Sequence, residues 1–168
     1  MSNSQSFSQA LNLAYFYLKF RARTEKEIIR YLERKKEHHF TPEVIEKVIT
    51  QLKEQGYIDD VNFIRLFVSE RNKLKPKSAF ALSRELQQKG INKELIDAFF
   101  EQNQQDETNL AFLALQKKQQ TLSRLDPKTR FKKAISFLLR RGFSYEIAKK
   151  TYYLIWNSLD NINTTTRK

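Results

Sequence analysis

Cysteine is absent from this chain of 168 residues, which excludes disulfide bonds, thiolate metal sites and a cysteine nucleophile. Its absence is consistent with the reducing cytoplasm, where we expect the protein to reside. Histidine is scarce as well: the only two, His38 and His39, are adjacent, so they cannot share a helix face, and a plain loop is predicted there. We therefore expect neither a metal site nor a cofactor.

Glycine and proline number only three each, and all six are predicted to mark helix boundaries. A glycine after a periodic segment ends a helix with little strain, and a proline in the first turn costs no hydrogen bond. These residues are Gly56, Gly90, Gly142, Pro42, Pro76 and Pro127. No glycine is left for a phosphate-binding loop or a nucleophile elbow, and no Ser-His-acid set exists, so we expect a protein that is not an enzyme.

Long apolar runs and alternating apolar and polar runs are both missing. The longest apolar stretch, LAYFYL at residues 13–18, ends at Lys19, which is too short to cross a membrane. Helical periodicity extends over almost the whole chain, with Thr24 and Glu27 forming a capping box before one helix. The fold class is predicted to be all-α, and no membrane association is expected.

One phrase of the sequence occurs twice. QQKGINKELI at residues 87–96 returns as LRRGFSYEIA at residues 139–148, a period of 52 residues. Thr41, Glu43 and Val44 fit the same template one period earlier, with EHHF in place of the tight turn. The pattern predicts three tandem three-helix repeats, each containing a helix-turn-helix-like pair.

The predicted repeats have boundaries at residues 1–58, 59–105 and 106–168. Their nine helices are predicted at residues 7–22, 25–36, 42–55, 60–73, 77–89, 93–103, 107–122, 128–141 and 145–158. Because a unit of about fifty residues buries little apolar surface alone, the repeats are expected to dock in an elongated, curved array. Such an array offers a broad concave face and no deep pocket, which favours a large partner over a small substrate.

The net charge of +12 favours an anionic partner: nucleic acid, an acidic protein face or a lipid headgroup surface. Residues 106–168 carry 13 basic and 5 acidic residues, a net of +8. A helical wheel of residues 130–141 separates basic from apolar side chains, and the next helix is predicted to turn aromatic and basic side chains outward. A second basic run joins two helices of the middle repeat.

The candidate binding residues are Lys73, Lys75, Lys77, Lys128, Arg130, Lys132, Lys133, Arg140, Arg141, Tyr145, Lys149, Lys150, Tyr153 and Trp156. A solvated surface is the alternative for each lysine and arginine, and packing against a terminal extension is the alternative for Tyr153 and Trp156. Asp59 and Asp60, next to Gly56, are predicted to cap a helix rather than to form a carboxylate pair.

The stretch GYIDDVNFIRLFVSER at residues 56–71, followed by SRELQQKGI at residues 83–91, closely resembles the RecX family of bacterial recombination regulators. The matching positions, with structural roles, are Gly56, Tyr57, Asp59, Asp60, Phe63, Phe67, Arg71, Glu85, Leu86, Lys89, Gly90 and Ile91. Two departures are Ser78-Ala79, where the family usually has Gly-Pro, and Ile64, where alanine is common. Three tandem three-helix units are also the family's architecture.

The resemblance implies a modulator without enzymatic activity that binds the RecA recombinase. It further implies a position in the helical groove of the RecA filament on DNA, and inhibition of strand exchange, ATP hydrolysis and coprotease activity. The implied partners are the RecA filament and single- or double-stranded DNA, the latter bound weakly and with strong dependence on salt. The chain itself is expected to be a monomer.

Two other functions fit part of the pattern. A helix-turn-helix protein that acts directly on DNA needs a recognition helix that presents base-reading and phosphate-contacting side chains. Glu43 and Glu46 lie on one such helix and Glu94 and Asp97 on another, and these faces repel phosphate. Only the third repeat could then enter a groove. A basic helical scaffold for some other acidic protein has the same composition, and charge alone does not separate it from a filament regulator.

Overall fold

The computed structural model describes the backbone of residues 3–165 and the side chains of residues 3–157. Within these residues the chain forms ten helices and no strand, so the all-α prediction is confirmed. The helices are α1 (Asn3–Leu18), α2 (Glu25–Glu33), α3 (Pro42–Glu54), α4 (Asp60–Leu74), α5 (Ala79–Gln88), α6 (Lys93–Gln102), α7 (Glu107–Gln116), α8 (Gln119–Ser123), α9 (Pro127–Arg140) and α10 (Tyr145–Thr165).

Ten helices are found where nine were predicted, because the helix expected over residues 107–122 is interrupted at Lys117 and Lys118. The amide of Lys118 donates to the carbonyl of Leu115 at 2.8 Å, a tight turn bond that ends α7. The ammonium of Lys117 donates to the carbonyls of Lys73 and Leu74 at 3.2 and 3.0 Å, at the end of α4. A tertiary contact that periodicity does not report therefore accompanies the break.

Most helix ends follow the predicted signals. Thr24 and Glu27 form the capping box, each side chain accepting from the other residue's amide, at 3.2 and 3.1 Å. Thr41 and Asp126 cap α3 and α9, each ahead of a proline. The three glycines have positive φ, +74° at Gly56 and +87° at Gly90 and Gly142. Their predicted role as left-handed helix ends is confirmed.

The chain divides into two compact units, each with its own apolar core. One unit comprises Met1–Phe67 with Glu85–Phe99, and the other comprises Val68–Arg84 with Phe100–Lys168. The first core contains Ala10, Ala14, Ile28, Leu32, Val44, Ile45, Val48, Ile49, Leu52 and Ile58. The second contains Leu110, Ala111, Ala114, Leu115, Leu122, Ala134, Ile135, Leu138, Phe143, Ala148, Tyr152, Ile155 and Trp156. Both cores are built from the apolar stripes of amphipathic helices.

In the first unit, the end of α5 docks on the start of α2. The Thr24 hydroxyl donates to the carbonyl of Lys89 at 2.7 Å. The Asp60 carboxylate, at the start of α4, accepts from the amide of Glu25 at 3.1 Å. Helix ends leave some carbonyls and amides without partners inside the helix. Here the Lys89 carbonyl and the Glu25 amide find their partners on neighbouring segments.

We call this contact, between the end of one repeat's second helix and the start of the preceding repeat's second helix, a joint. The second unit contains an equivalent joint one repeat later, between the end of α9 and the start of α5. The amide of Ser78 donates to the carbonyl of Arg141 at 3.1 Å. The Glu107 carboxylate, at the start of α7, accepts from the amide of Ala79 at 2.9 Å. In both joints, an acidic residue that opens a repeat's first helix caps the second helix of the repeat before it.

Each joint also requires a glycine. A Cβ atom on Gly90 would lie 2.4 Å from the Cβ of Lys26, and one on Gly142 would lie 2.4 Å from the Oγ of Ser78 and 2.6 Å from the Cβ of Ala81. Distances this short are not tolerated between non-bonded atoms. The glycines therefore serve two purposes at once, the left-handed helix end and the close approach of two helices.

Candidate nucleic-acid and protein interface

A basic groove lies between α8 and α9 in the second unit. It encloses about 380 Å³. Its lining consists of Lys118, Leu122, Lys132, Lys133, Ser136, Phe137 and Arg140. Four of these seven side chains are cationic and none is acidic, and the two apolar side chains give the groove a nonpolar wall. Closely spaced cations beside an aromatic ring suit a phosphate backbone or a strongly acidic peptide.

The groove is basic because α9 is strongly amphipathic. Ala134, Ile135 and Leu138 are buried in the core of the second unit, which turns Lys132 and Lys133 outward. Asp126 fixes the start of the helix, and the hydrogen bond from the Thr129 amide lowers the pKa of its carboxyl. The predicted separation of basic and apolar faces on this helix is confirmed for these residues.

Of the seven residues that line this groove, sequence reasoning missed four: Lys118, Leu122, Ser136 and Phe137. Lys118 lies in the break between α7 and α8, which was predicted to be continuous helix, and it is exposed. Phe137 is half-buried and packs against the core. The adjacent pair Lys117-Lys118 could have signalled a basic site, but the sequence did not show that Lys118, at the break between α7 and α8, lines the same groove as the lysines of α9.

Two arginines expected on the open basic face of α9 are half-buried instead. The Nε of Arg130 donates to the Tyr152 hydroxyl at 3.2 Å. The guanidinium of Arg141 donates to the carbonyl of Pro76 at 2.9 Å and lies 4.7 Å from the centre of the Phe137 ring. Burial lowers the pKa of Arg141. Packing within the second unit therefore engages both arginines, which the helical wheel does not report, and their role as binding residues stays a prediction.

Trp156 was predicted to face outward, and this prediction is wrong. Its side chain is 2% exposed, its Nε1 donates to the Ser123 hydroxyl at 3.2 Å, and its ring lies 4.8 Å from that of Tyr152. Trp156 lies at nearly the same angle around α10 as Tyr145, but it is covered at its position along the helix, whereas Tyr145 is exposed. A helical wheel does not report which part of a face a neighbour covers.

The remaining candidates on α9 and α10 are exposed, as predicted: Lys128, Tyr145, Lys149, Lys150 and Tyr153. They do not line the basic groove. Lys73, in the last turn of α4, and Lys75, in the connection to α5, are exposed, and Lys77 in the same connection is half-buried with a partner. The structure therefore brings three of the fourteen candidates, Lys132, Lys133 and Arg140, into one groove and leaves the others outside it.

The residues of the GYIDD and ELQQKGI phrases contribute to the joint in the first unit. The Lys89 ammonium lies 5.9 and 5.5 Å from the ring centres of Phe63 and Phe67, and 3.8 Å from the Glu27 carboxylate. Asp59 caps α4 as predicted, accepting from the Asn62 amide at 2.9 Å. The other positions are the buried Ile91 and Leu86, the half-buried Arg71 and Glu85, the exposed Tyr57, and Gly56, Asp60 and Gly90 at helix ends.

Glu27 and Asp60 have opposite electrostatic environments in that joint. Burial by itself would raise the pKa of Glu27, but the hydrogen bonds from Arg21 and from the Thr24 amide outweigh it, and the pKa is lowered. For Asp60 burial dominates over the hydrogen bond from the Glu25 amide, and the pKa is raised. Asp60 was predicted to cap its own helix, whereas its carboxylate accepts from the first residue of α2.

Neither a metal site nor a membrane span is found in the part of the chain that the structure describes. His38 and His39 lie in the turn before α3, where His39 has φ +48°, so the predicted loop is confirmed. Among the described side chains, no group of three or more histidine, aspartate or glutamate residues could hold a metal ion. No described helix is long and apolar enough to cross a membrane.

The fold and the groove define an all-α protein built from tandem three-helix domains, with cations gathered on the last of them. Family models of RecX match three stretches: the first three-helix domain at residues 10–52, the second at residues 59–98 and the third at residues 105–151. These matches cover most of the chain. The chain belongs to the RecX family.

Curated relatives support the assignment. A regulatory protein RecX of Finegoldia magna is 33% identical over 88% of this chain and 72% of its own length. Relatives with the same name from Streptococcus agalactiae and Streptococcus sanguinis are 31% and 35% identical, and the chain spans only 57% and 55% of their lengths. These homologues are named as regulatory proteins, not as enzymes.

Solved structures share the fold. A crystal structure of RecX from Lactobacillus salivarius superposes with a TM-score of 0.75 at 21% identity, covering 90% of this chain and 97% of that one. A second crystal structure of regulatory protein RecX gives a TM-score of 0.73 at 23% identity over 89% of this chain and 74% of that one. The three-domain helical architecture is thus shared at low sequence identity.

Proposed function

We propose that the protein binds the RecA recombinase filament on DNA and inhibits its recombinase, ATPase and coprotease activities. The observation that carries the proposal is the basic groove between α8 and α9, in a chain of the RecX family. Its relatives are named regulatory proteins. We infer that the protein acts by binding rather than by catalysis, and in the cytoplasm, where such a filament assembles.

The groove suits the phosphate backbone of filament-bound DNA. Lys132, Lys133 and Lys118 are exposed cations on a short stretch of surface, and a polyanion that meets several cations gains affinity by releasing its counterions. Arg140 adds a guanidinium, which matches phosphate geometry with two parallel hydrogen bonds. The lining of the groove contains no asparagine or glutamine that would read adenine, and we expect a DNA contact made mainly to phosphate and largely independent of sequence.

A protein that reads DNA directly with a helix-turn-helix pair is the less favoured alternative. Glu43 and Glu46 are exposed on α3, and Glu94 and Asp97 are exposed on α6. Each of these helices is the last of its domain, the position at which a recognition helix would stand. Carboxylates there repel phosphate, so only the third domain is suited to nucleic acid.

The proposal is tested by measuring binding to RecA filaments assembled on single-stranded DNA. Lys132→Glu/Lys133→Glu removes two cations of the groove and is expected to weaken filament binding at least tenfold. Lys19→Glu/Lys36→Glu carries the same change of net charge on exposed residues of the first domain and serves as the matched control, with binding close to wild type.

Circular dichroism of each variant checks that the helical signal is retained. Equal binding by the groove variant and its control would place the interface elsewhere. Binding of the wild-type protein to naked DNA but not to the filament would favour the helix-turn-helix alternative.

A further inference from the structure

Two grooves flank α3 in the first unit, and both have apolar walls with acidic rims. The groove between α2 and α3 encloses about 380 Å³, with Ile29, Phe40, Ile45 and Ile49 as its apolar lining. The groove between α1 and α3 encloses about 1100 Å³ and includes Phe7 and Val44. Glu46 and Thr50 line both grooves, so the two form neighbouring parts of one surface along α3.

The charge of this surface opposes that of the chain as a whole. Five glutamates line the two grooves, against two lysines: Glu25, Glu33, Glu43, Glu46 and Glu54 against Lys47 and Lys53. Lys53 is engaged by Glu25 at 2.8 Å. In a chain of net charge +12, the first domain therefore presents a locally negative surface.

Three of the glutamates are available to a partner. Glu33, Glu46 and Glu54 are exposed and form no ion pair with any side chain that the structure describes. Their carboxylates stand beside Phe7, Ile29 and Phe40, which are half-buried and so present part of their apolar surface to water. The other apolar lining residues, Val44, Ile45 and Ile49, are buried beneath them. Nucleic acid is excluded as the occupant, because its phosphates would be repelled by these carboxylates and would gain nothing from the apolar walls.

We propose that the surface along α3 docks a cationic, amphipathic segment of the recombinase protein. Apolar side chains of that segment fill the groove between α2 and α3, and its lysines or arginines pair with Glu33 and Glu46 at the rim. This is the arrangement of a helix or extended peptide in an apolar groove, where a central apolar anchor is surrounded by a polar rim. The inference rests on the proposed function and deepens it.

Two surfaces of one chain would then bind two different components of the filament. The acid-rimmed surface of the first domain contacts protein, and the basic groove of the third domain contacts phosphate. Each contact alone is modest, and a filament that offers both at once is bound more tightly than either component because the second contact is intramolecular.

The test measures binding to each of the two components of the filament, recombinase and DNA, on its own. Affinity is measured for purified recombinase without DNA, and separately for a fluorescein-labelled single-stranded oligonucleotide without recombinase. Glu33→Lys/Glu46→Lys is expected to lower the affinity for DNA-free recombinase at least tenfold without lowering the affinity for the oligonucleotide. Lys132→Glu/Lys133→Glu is expected to give the opposite pattern.

A control of equal charge change reverses Glu70 and Glu101, which are exposed and lie outside both grooves. If Glu33→Lys/Glu46→Lys binds recombinase as tightly as Glu70→Lys/Glu101→Lys does, the docking surface is overturned while the proposed function stands. If the wild-type protein binds recombinase neither with DNA nor without it, the proposed function itself is overturned, and the docking inference falls with it.

Discussion

Single residues set the joints between successive three-helix domains. Gly90 and Gly142 share φ +87° and stand in equivalent contacts, each against the first turn of the preceding repeat's second helix. Gly56 has a similar φ of +74°, but a Cβ there would meet nothing within 4 Å. The three glycines look alike in the sequence, and only the structure shows that two of them are also needed for close packing.

Substitution of these glycines by alanine separates the two effects. Gly56→Ala meets only the cost of a side chain in the left-handed region, about 1 to 2 kcal/mol. Gly90→Ala adds the clash with Lys26 Cβ, and we expect it to lower the free energy of unfolding by roughly 1 to 3 kcal/mol more. Urea denaturation measures both. Equal losses in the two variants would mean that the joint relaxes without cost.

The two carboxyls of the first joint predict opposite pH effects. The lowered pKa of Glu27 means that its contribution to stability is present above the ordinary pKa of a glutamate, about 4.3, and is lost as the pH falls through the folded-state value. The raised pKa of Asp60 means that its contribution is present below the ordinary value and is lost as the pH rises through the folded-state value.

Thermal unfolding at pH 7 and pH 4 tests both signs. Glu27→Gln is expected to melt well below wild type at pH 7, with a smaller difference at pH 4. Asp60→Asn keeps an oxygen that can accept from the Glu25 amide. The difference in melting temperature between this variant and wild type is therefore expected to be more favourable to the variant at pH 7 than at pH 4. A Glu27→Gln deficit that grows on acidification would contradict the assignment.

At the scale of helices, the sequence was sufficient to predict those helix ends that depend on nearby residues. The capping box at Thr24, the N-cap at Asp126 and the three glycine ends were all predicted, because each depends on residues within a few positions. The interrupted helix at Lys117 and the buried Trp156 were not predicted. Both depend on what a distant helix supplies: the carbonyls at the end of α4 for Lys117, and α8 and α9 for Trp156.

The same limit applies to the candidate interface. The wheel of α9 identified Lys132, Lys133 and Arg140 as outward cations, and they do line the groove. It could not identify Lys118, which reaches the groove from another helix boundary. It also could not show that Arg130 and Arg141 are engaged by packing, since both lie at positions that the wheel treats as open.

The corrected position of Trp156 gives a prediction for α10. Trp156→Ala removes a side chain that is 2% exposed, and we expect a loss of about 3 to 5 kcal/mol in the free energy of unfolding. Tyr153→Ala, on the same helix, truncates a ring that is 42% exposed, and the expected loss is below about 1 kcal/mol. Chemical denaturation compares them. Similar losses would mean that Trp156 is not a core residue.

At the scale of the whole molecule, charge is distributed by domain rather than evenly. The basic groove of the third domain and the acid-rimmed surface of the first differ in sign and in the chemistry that they favour. Neither encloses reactive groups in the arrangement of a catalytic site. This distribution is what we expect of a protein that contacts two components of one large assembly, and it is the physical basis of the proposed regulation.

The most direct test of that account is a titration of the purified protein into RecA filaments on single-stranded DNA, with the rate of ATP hydrolysis as the readout. We predict that hydrolysis slows at less than one protein per recombinase subunit, and that Lys132→Glu/Lys133→Glu requires at least tenfold more protein for the same effect. An unchanged rate up to a tenfold excess of the wild-type protein would contradict the account.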